Sequence, residues 1–135
     1  MIMRLPIAPP LDHEKAAEFV KKLESFWNEG KSQQLNSVFS EDCEWRDNER
    51  QLTGNTEIMN LMNECRNEKV NYRVRGELWS HSFFRIAVSF QSEWRDSKKD
   101  SKFRNCGHVF IRLDSSGRIK EFCLSSSGSL SECRD

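Results

Sequence analysis

A tryptophan and an aspartate stand two residues apart in the stretch "CEWRDNERQLTG", residues 43–54. The stretch is typical of a short strand, on which the side chains of Trp45 and Asp47 point to the same face because successive residues alternate sides. If that face is the interior, Asp47 is a carboxylate beside an aromatic wall and needs a partner or a chemical purpose. Proton transfer is one purpose. The following "NER" favours instead a cap on the turn or an ion pair with Arg46 or Arg50.

Histidines and cysteines are spaced in ways that do not favour metal chemistry. The three histidines form no H-x-x-x-H or H-E-x-x-H pair, and the five cysteines include no C-x-x-C pair. An odd number of scattered cysteines also argues against a disulfide framework. We therefore expect no protein-bound metal, no cofactor and a cytoplasmic location.

Length and charge predict one soluble domain without nucleic-acid or membrane partners. The 135 residues suffice for one core, and 21 basic residues balance 21 acidic ones. The basic loop "RDSKKDSK" is interrupted by aspartates and has no exposed aromatic platform beside it, so a solvated hairpin is the simpler interpretation. In the first residues, "MIMRLPIAPP", proline interrupts the chain before any apolar run is long enough for a signal or a membrane span.

Three helices are predicted in the N-terminal half. The first is capped by Asp12 and ends at Gly30, the second begins at Ser32, and the third follows the short strand with Asn55 or Thr56 as its cap. Each has an apolar stripe at helical spacing. The stripes consist of Ala16, Val20, Leu23 and Trp27 in the first helix, Leu35, Val38 and Phe39 in the second, and Ile58, Leu61, Met62 and Cys65 in the third.

Beyond residue 70 the period changes from helical to alternating. Four segments rich in β-branched and aromatic residues predict strands at 70–79, 84–94, 102–113 and 118–125. Helices followed by an antiparallel meander predict an α+β fold whose helices cover one face of a curved sheet. We expect one domain over residues 1–127, with an N-terminal arm at 1–11, and a flexible polar tail at 128–135.

The element order, together with "FWNEGKSQQL", "WRDNERQLTG", "YRVRGELW", "RIAVSFQSEW" and "LDSSGRI", resembles the nuclear transport factor 2-like superfamily. This superfamily includes the SnoaL-like polyketide cyclases and the ketosteroid isomerases. The chain is most similar to a bacterial SnoaL-like group with a W-R-N motif, an E-L-W strand and an R-I-A-V strand. The resemblance implies a cone-shaped, strongly bent antiparallel sheet packed on three N-terminal helices, a cystatin-like roll. It also implies a pocket at the open end and homodimers formed through the outer sheet face.

The resemblance implies a small-molecule site but no single reaction, because the superfamily hosts isomerases, cyclases, lyases and binding modules. Aligning "CEWRD" with the ketosteroid isomerases puts Asp47 at the position of their general-base aspartate. Their second, protonated acid falls at Val109. The near group's asparagine-glutamate-asparagine run matches residues 108–110, so apolar groups replace most of that polar lining.

The same alignment predicts which side chains face the interior. If Val109 points inward, strand periodicity turns Asn105 inward and leaves His108 and Phe110 outside. We expect an apolar chamber for a small apolar molecule, with Asp47 as its chief ionisable group. Tyr72, Asn105 or a tryptophan N–H would then support an oxyanion. The predicted ligand-binding residues are Trp27, Trp45, Tyr72, Phe90, Trp94, Asn105, Val109 and Phe122.

Two functions follow from this chamber. The first is a cofactor-independent isomerase, cyclase or lyase, in which Asp47 acts as general base on an apolar carbonyl compound or cyclic metabolite. An apolar chamber strips a carboxylate of hydration, which favours proton uptake. The second is a non-catalytic dimeric module for ligand binding or protein interaction, whose outer sheet face meets a second copy. The missing acid at Val109 favours this second function.

Overall fold

The computed structural model describes residues 6–30, 34–99 and 101–126, and the backbone of residues 131–133. Three helices and seven strands lie in this part of the chain, in the predicted order. None of these helices is long and apolar enough to cross a membrane. The helices are α1 (His13–Glu29), α2 (Leu35–Val38) and α3 (Asn55–Glu68), and the strands are β1 (Phe39–Arg46), β2 (Gln51–Thr53), β3 (Lys69–His81), β4 (Arg85–Asp96), β5 (Lys102–Leu113), β6 (Ile119–Ser126) and β7 (Ser131–Cys133).

One sheet contains all of these strands, in the order β2-β1-β6-β5-β4-β3, and β7 adds to β5. The sheet is strongly curved and does not close, so the predicted α+β cone fold is confirmed. Neighbouring strands are antiparallel except for β1 and β6, which run parallel and bring Trp45 opposite Phe122. The meander pattern did not indicate this parallel pair, which joins the short strand to the far end of the chain.

Both predicted ends of α1 are confirmed. The Asp12 carboxylate accepts the backbone N–H of Lys15 at 2.8 Å, which satisfies one of the unpaired donors of the first turn. Gly30 ends the helix in the left-handed region at φ 67°, where glycine carries no steric penalty. A Cβ at this position would also overlap the guanidinium of Arg66, which lies against this end of α1.

The predicted cap of α3 is wrong. Gly54 is the N-cap residue at φ 90°, and no side chain caps the helix. Asn55 uses its side chain elsewhere, donating to the Asn36 side chain at 2.7 Å. Glu57 of the first turn reaches back and accepts the backbone N–H of Thr53 at 2.6 Å. A carboxylate near the positive end of the helix dipole stabilises the helix start in place of the missing cap.

Helix α1 covers the free edge of the sheet at β3. Asn28 donates to the carbonyl oxygen of Val74 at 2.9 Å and accepts its N–H at 2.7 Å. Glu24 accepts the N–H of Gly76 at 2.9 Å. These two side chains therefore replace a neighbouring strand and satisfy backbone groups that would otherwise template pairing with another chain.

The core lies between the helices and the concave face of the sheet. Strand positions facing the helices alternate with exposed ones, and the parity predicted from Val109 holds along β4 and β5. Residues 131–133 form a strand within the segment predicted as a flexible tail, while its other residues, and Ser32 at the predicted start of α2, lie outside the described residues. The largest fully buried side chains are Phe19, Phe39, Cys43, Ile58, Ile86, Leu113 and Ile119.

Candidate functional site

An apolar chamber lies between α1 and the concave face of the sheet, with about 750 Å³ of space that includes its opening to solvent. The part of this space that the centres of water-sized molecules can reach is about 140 Å³. This is below the range of drug-sized ligand pockets, so the chamber suits a small ligand. All eight residues predicted to bind a ligand line it, together with apolar side chains from α1, β3, β4 and β6. The added wall residues are Val20, Leu23, Val74, Val88 and Leu124.

Three stacked aromatic rings form one wall of the chamber. The ring centroids of Trp45 and Phe122 are 4.3 Å apart at an interplanar angle of 12°. Trp27 lies 5.8 Å from Phe122 at 7°. The rings come from β1, β6 and α1, so the parallel pairing of β1 and β6 creates the closest of these contacts. A flat, rigid aromatic wall suits a ligand with a flat ring.

A polar mouth adjoins the chamber and occupies about 1150 Å³ including open solvent. Five residues line both spaces, namely Trp27, Trp45, Lys69, Tyr72 and Leu124. The lining of the chamber includes two charged residues, Glu24 and Lys69, and the mouth adds Asp47, Arg50, Cys65 and Arg66.

Asp47 lies at this mouth, in the turn between β1 and β2. Its Oδ1 accepts the backbone N–H groups of Glu49 and Arg50 at 2.8 and 2.9 Å. Its Oδ2 accepts the indole N–H of Trp45 at 3.1 Å and lies 3.3 Å from Nε of Arg50. The carboxylate therefore caps the turn and pairs with Arg50, while also lining the mouth. Trp45 uses its N–H in this contact and does not offer it to the chamber.

Tyr72 lies where chamber and mouth meet, and its ring is 6.0 Å from that of Trp94. Burial raises the pKa of the Tyr72 phenol to about 12, although the nearby Ser92 side chain acts in the opposite direction. At neutral pH the phenol is thus protonated and able to donate a hydrogen bond. Ser92 is buried and pairs with Asn105 across β4 and β5. Together these residues make one end of the chamber polar.

A β-bulge in β3 decides which side chains reach this junction. The register with β4 shifts between Val70 and Arg73, and Asn71 within the shift has a φ of 56°. Regular alternation would turn Lys69 and Tyr72 to opposite faces, whereas the extra residue turns both inward. The bulge therefore adds Lys69 to the lining of the junction, which strict two-residue periodicity did not predict. Asn71 is the sequence signal that could have indicated the bulge.

Lys69 lies over the aromatic lining of the junction. Its Nζ is 4.3 Å from the ring centroid of Trp94 and 5.8 Å from that of Tyr72. Both distances are within the range of cation–π attraction. Burial raises the pKa of the neighbouring Cys65 thiol, while the positive charges of Lys69 and Arg50 act to lower it. Two cations therefore converge on this side of the mouth.

The wall at Val109 is apolar. Val109 is buried between Val88 on β4 and Leu124 on β6, which lie opposite it in the sheet. No acid stands at this inward position, so an oxyanion in the chamber would depend on the polar end with Tyr72. Among the described residues, no three histidine, cysteine or carboxylate side chains are grouped so that they could hold a metal ion.

Comparison with known families supports this description of the fold. A family model described as "Protein of unknown function (DUF1348)" matches residues 9–130. The chain belongs to this family. No curated protein matches the sequence.

Solved structures share the fold of this DUF1348 chain at low sequence identity. The epoxide hydrolase/cyclase-like enzyme SalBIII, described for its role in pyran ring formation in polyether salinomycin, has a TM-score of 0.79 at 14% identity, over 90% of this chain and 98% of its own. An NTF2-like protein of unknown function from Exiguobacterium sp. 255-15 has a TM-score of 0.73 at 13% identity, over 82% and 99%. A hypothetical protein from Catenulispora acidiphila with a ketosteroid isomerase-like fold, in complex with trimethylamine, has a TM-score of 0.70 at 14% identity, over 79% and 83%. These similarities confirm the nuclear transport factor 2-like fold.

Proposed function

We propose that the protein binds a small apolar carbonyl compound in the chamber and moves a proton on it without a cofactor, as an isomerase, cyclase or lyase does. One observation carries the proposal. A protonated phenol, Tyr72, and a carboxylate, Asp47, line the same mouth, next to a chamber lined mostly by aromatic and apolar side chains. A hydrogen-bond donor and a proton acceptor beside one apolar chamber are the two groups that enolisation of a ketone requires.

In this proposal Tyr72 acts on the carbonyl oxygen. Its raised pKa keeps the phenol protonated, so it can donate to an oxygen on which negative charge develops. Ser92 and Asn105 lie at the same end of the chamber and supply further polar groups. The apolar remainder excludes water, which strengthens each of these contacts.

Asp47 acts in the proposal as the base that removes the proton next to the carbonyl group. The Oδ2 atom is the candidate, because its two partners are side chains, whereas Oδ1 is held by two backbone donors of the turn. Accepting a proton there requires Oδ2 to loosen its contacts with the Trp45 indole N–H, at 3.1 Å, and with Nε of Arg50, at 3.3 Å.

Deuterium exchange into β-tetralone, a bicyclic ketone with acidic protons beside the carbonyl group, tests the proposal by proton NMR in heavy water. Wild-type protein should accelerate the exchange over buffer. Asp47→Asn should lower this acceleration by about 100-fold or more, as expected for loss of a general base. Asp42→Asn makes the same chemical change on an exposed site of β1 and should leave the rate unchanged. Acceleration that survives Asp47→Asn in the folded variant would remove the base assignment.

A non-catalytic binding module is the second candidate function. It is favoured by the Asp47 carboxylate, whose two oxygens already have four partners, and by the apolar residue at Val109. The same assay separates the two functions. Binding of β-tetralone without any acceleration of exchange would establish a binding module.

We also propose that a second copy of the chain covers the outer sheet face. Trp79 is 66% exposed and Phe110 is 50% exposed there. The Trp79 ring lies 4.6 Å from that of the half-buried His108, which stands two residues before Phe110 in the sequence of β5. Apolar surface of this kind marks interaction sites. Sedimentation at micromolar concentration should give twice the monomer mass for the wild-type protein. The Phe110→Asp variant should sediment with the mass of a monomer. A wild-type monomer would contradict the dimer.

A further inference from the structure

The mouth of the chamber carries more positive than negative charge. Arg50, Arg66 and Lys69 line it with Asp47 as the only carboxylate among its described residues. Arg50 is paired with Asp47 and Glu49. Arg66 lies against Gly30 at the end of α1, where the carbonyl end of the helix attracts a cation. Of these three cations, Lys69 is the one that lines the chamber as well as the mouth.

Lys69 differs from the ion-paired lysines of the surface. In the described part of the chain, no carboxylate oxygen lies within ion-pair distance of its Nζ. Its ammonium group lies over Trp94 and Tyr72 instead, and the side chain is partly buried. An ammonium that is held against aromatic rings at the edge of an apolar cavity is less screened by water than a surface lysine. It attracts an anion that enters the mouth.

The bulge gives this arrangement its geometry. Lys69 pairs with Asp96 in the sheet register, yet the Asp96 carboxylate accepts the backbone N–H groups of Lys98 and Lys99 at 2.8 and 2.9 Å. The turn therefore engages Oδ1 of the acid that is paired with Lys69 in the sheet register. The bulge at Asn71, with its φ of 56°, turns Lys69 to the same side of the sheet as Tyr72.

We propose that the ligand is an apolar monocarboxylate, whose ring system occupies the chamber and whose carboxylate binds Nζ of Lys69 at the mouth. This inference rests on the proposed function only in requiring that the chamber binds a ligand. Lys69 is the one of the three mouth cations that also lines the chamber, which favours a single negative charge next to the apolar body of the ligand. Asp47, which lines the same mouth, disfavours a dianion such as a phosphate. Lys69 thereby sets the orientation of the ligand, with the anionic group outward and the apolar body against Trp27 and Phe122.

A matched pair of probes tests the inference by isothermal titration calorimetry. β-Naphthoate carries a carboxylate, and methyl β-naphthyl ketone presents the same ring system with a neutral carbonyl group. Wild-type protein should bind β-naphthoate about tenfold more tightly than the ketone. High salt should weaken the binding of β-naphthoate and leave the binding of the ketone unchanged. Lys69→Met should abolish this preference and leave ketone binding within about twofold. Lys69→Arg should retain the preference, and Lys22→Met, a surface lysine paired with Glu18, should change neither affinity.

The outcomes separate this inference from the proposed function. If the ketone binds and β-naphthoate binds no more tightly, the chamber stands and the role of Lys69 is overturned. If Lys69→Met weakens both probes equally, the lysine packs against the wall and selects no anion. If neither probe binds to wild-type protein, the proposed function and this inference both fail. A preference that persists in folded Lys69→Met would assign the anion to another group and also overturn it.

Discussion

Tyr72 is the residue at which apolar packing and polar chemistry meet. Its ring belongs to the aromatic lining with Trp94, and its hydroxyl lies at the polar end of the chamber with Ser92. A phenol in this setting resists ionisation, because the charged form loses the hydration that it has in water. The same property makes it a durable hydrogen-bond donor to a ligand over the whole physiological pH range.

Titration of Tyr72 provides a test at the residue scale, because it is the only tyrosine in the chain. The pKa rises from 10.0 to about 12 in the folded protein. The folded state therefore holds a proton that the unfolded state releases between these values. The proton on Tyr72 therefore contributes to the free energy of unfolding. This contribution is fully present below pH 10.0, and the free energy of unfolding falls as the pH rises from there toward about 12.

Rapid pH jumps followed by tyrosinate absorbance measure this pKa directly. The midpoint should lie near 12 in folded protein and near 10.0 in denaturant. Ser92→Ala should move the folded midpoint further upward, because the Ser92 side chain acts to lower the pKa. A folded midpoint at the ordinary value would show that the phenol is solvated and would remove it from the chamber.

At the scale of elements, the regular strands could be predicted from the sequence and the irregular one could not. Along β4 and β5 the pairing is continuous, so alternation, with Val109 placed inward by the resemblance, correctly turned Asn105 inward and Phe110 outward. Strand β3 has two register shifts. Lys69 lies on the N-terminal side of the first shift, so alternation counted from the rest of the strand assigns it to the wrong face. The helix α3 shows the same limit, since the side chain of Asn55 bonds to Asn36 from a distant part of the chain rather than capping its own helix.

Substitution of Asn71 tests the bulge. At φ 56° asparagine and glycine are tolerated, whereas a β-branched side chain clashes with its own backbone. Asn71→Val should lower the free energy of unfolding by about 1–3 kcal/mol in urea denaturation, and Asn71→Gly should change it by less than about 0.5 kcal/mol. Arg73→Val places the same residue at an exposed position of β3 beyond the bulge and should have little effect. Equal stability of the two valine variants would contradict a strained bulge.

At the scale of the whole molecule, the cavity arises from the curvature of the sheet together with the position of α1. The alternating patterns, with their parity set by the resemblance, predicted which side chains face inward, but not how much space they leave between them. That space depends on pairings distant in sequence, such as β1 with β6 and Asn28 with Val74. The resemblance to nuclear transport factor 2-like proteins supplied the cone shape, but it did not indicate Arg66 and Lys69 at the mouth.

The central claim is that a small apolar ligand binds inside the chamber, and the affinity of the protein for β-tetralone tests it most directly. Calorimetry should detect binding to wild-type protein, and Val109→Trp, which fills the chamber from its apolar wall, should abolish it. Trp79→Phe, on the exposed outer face, should bind as wild type does. Binding that is unchanged in folded Val109→Trp, or absent from wild-type protein, would contradict the account.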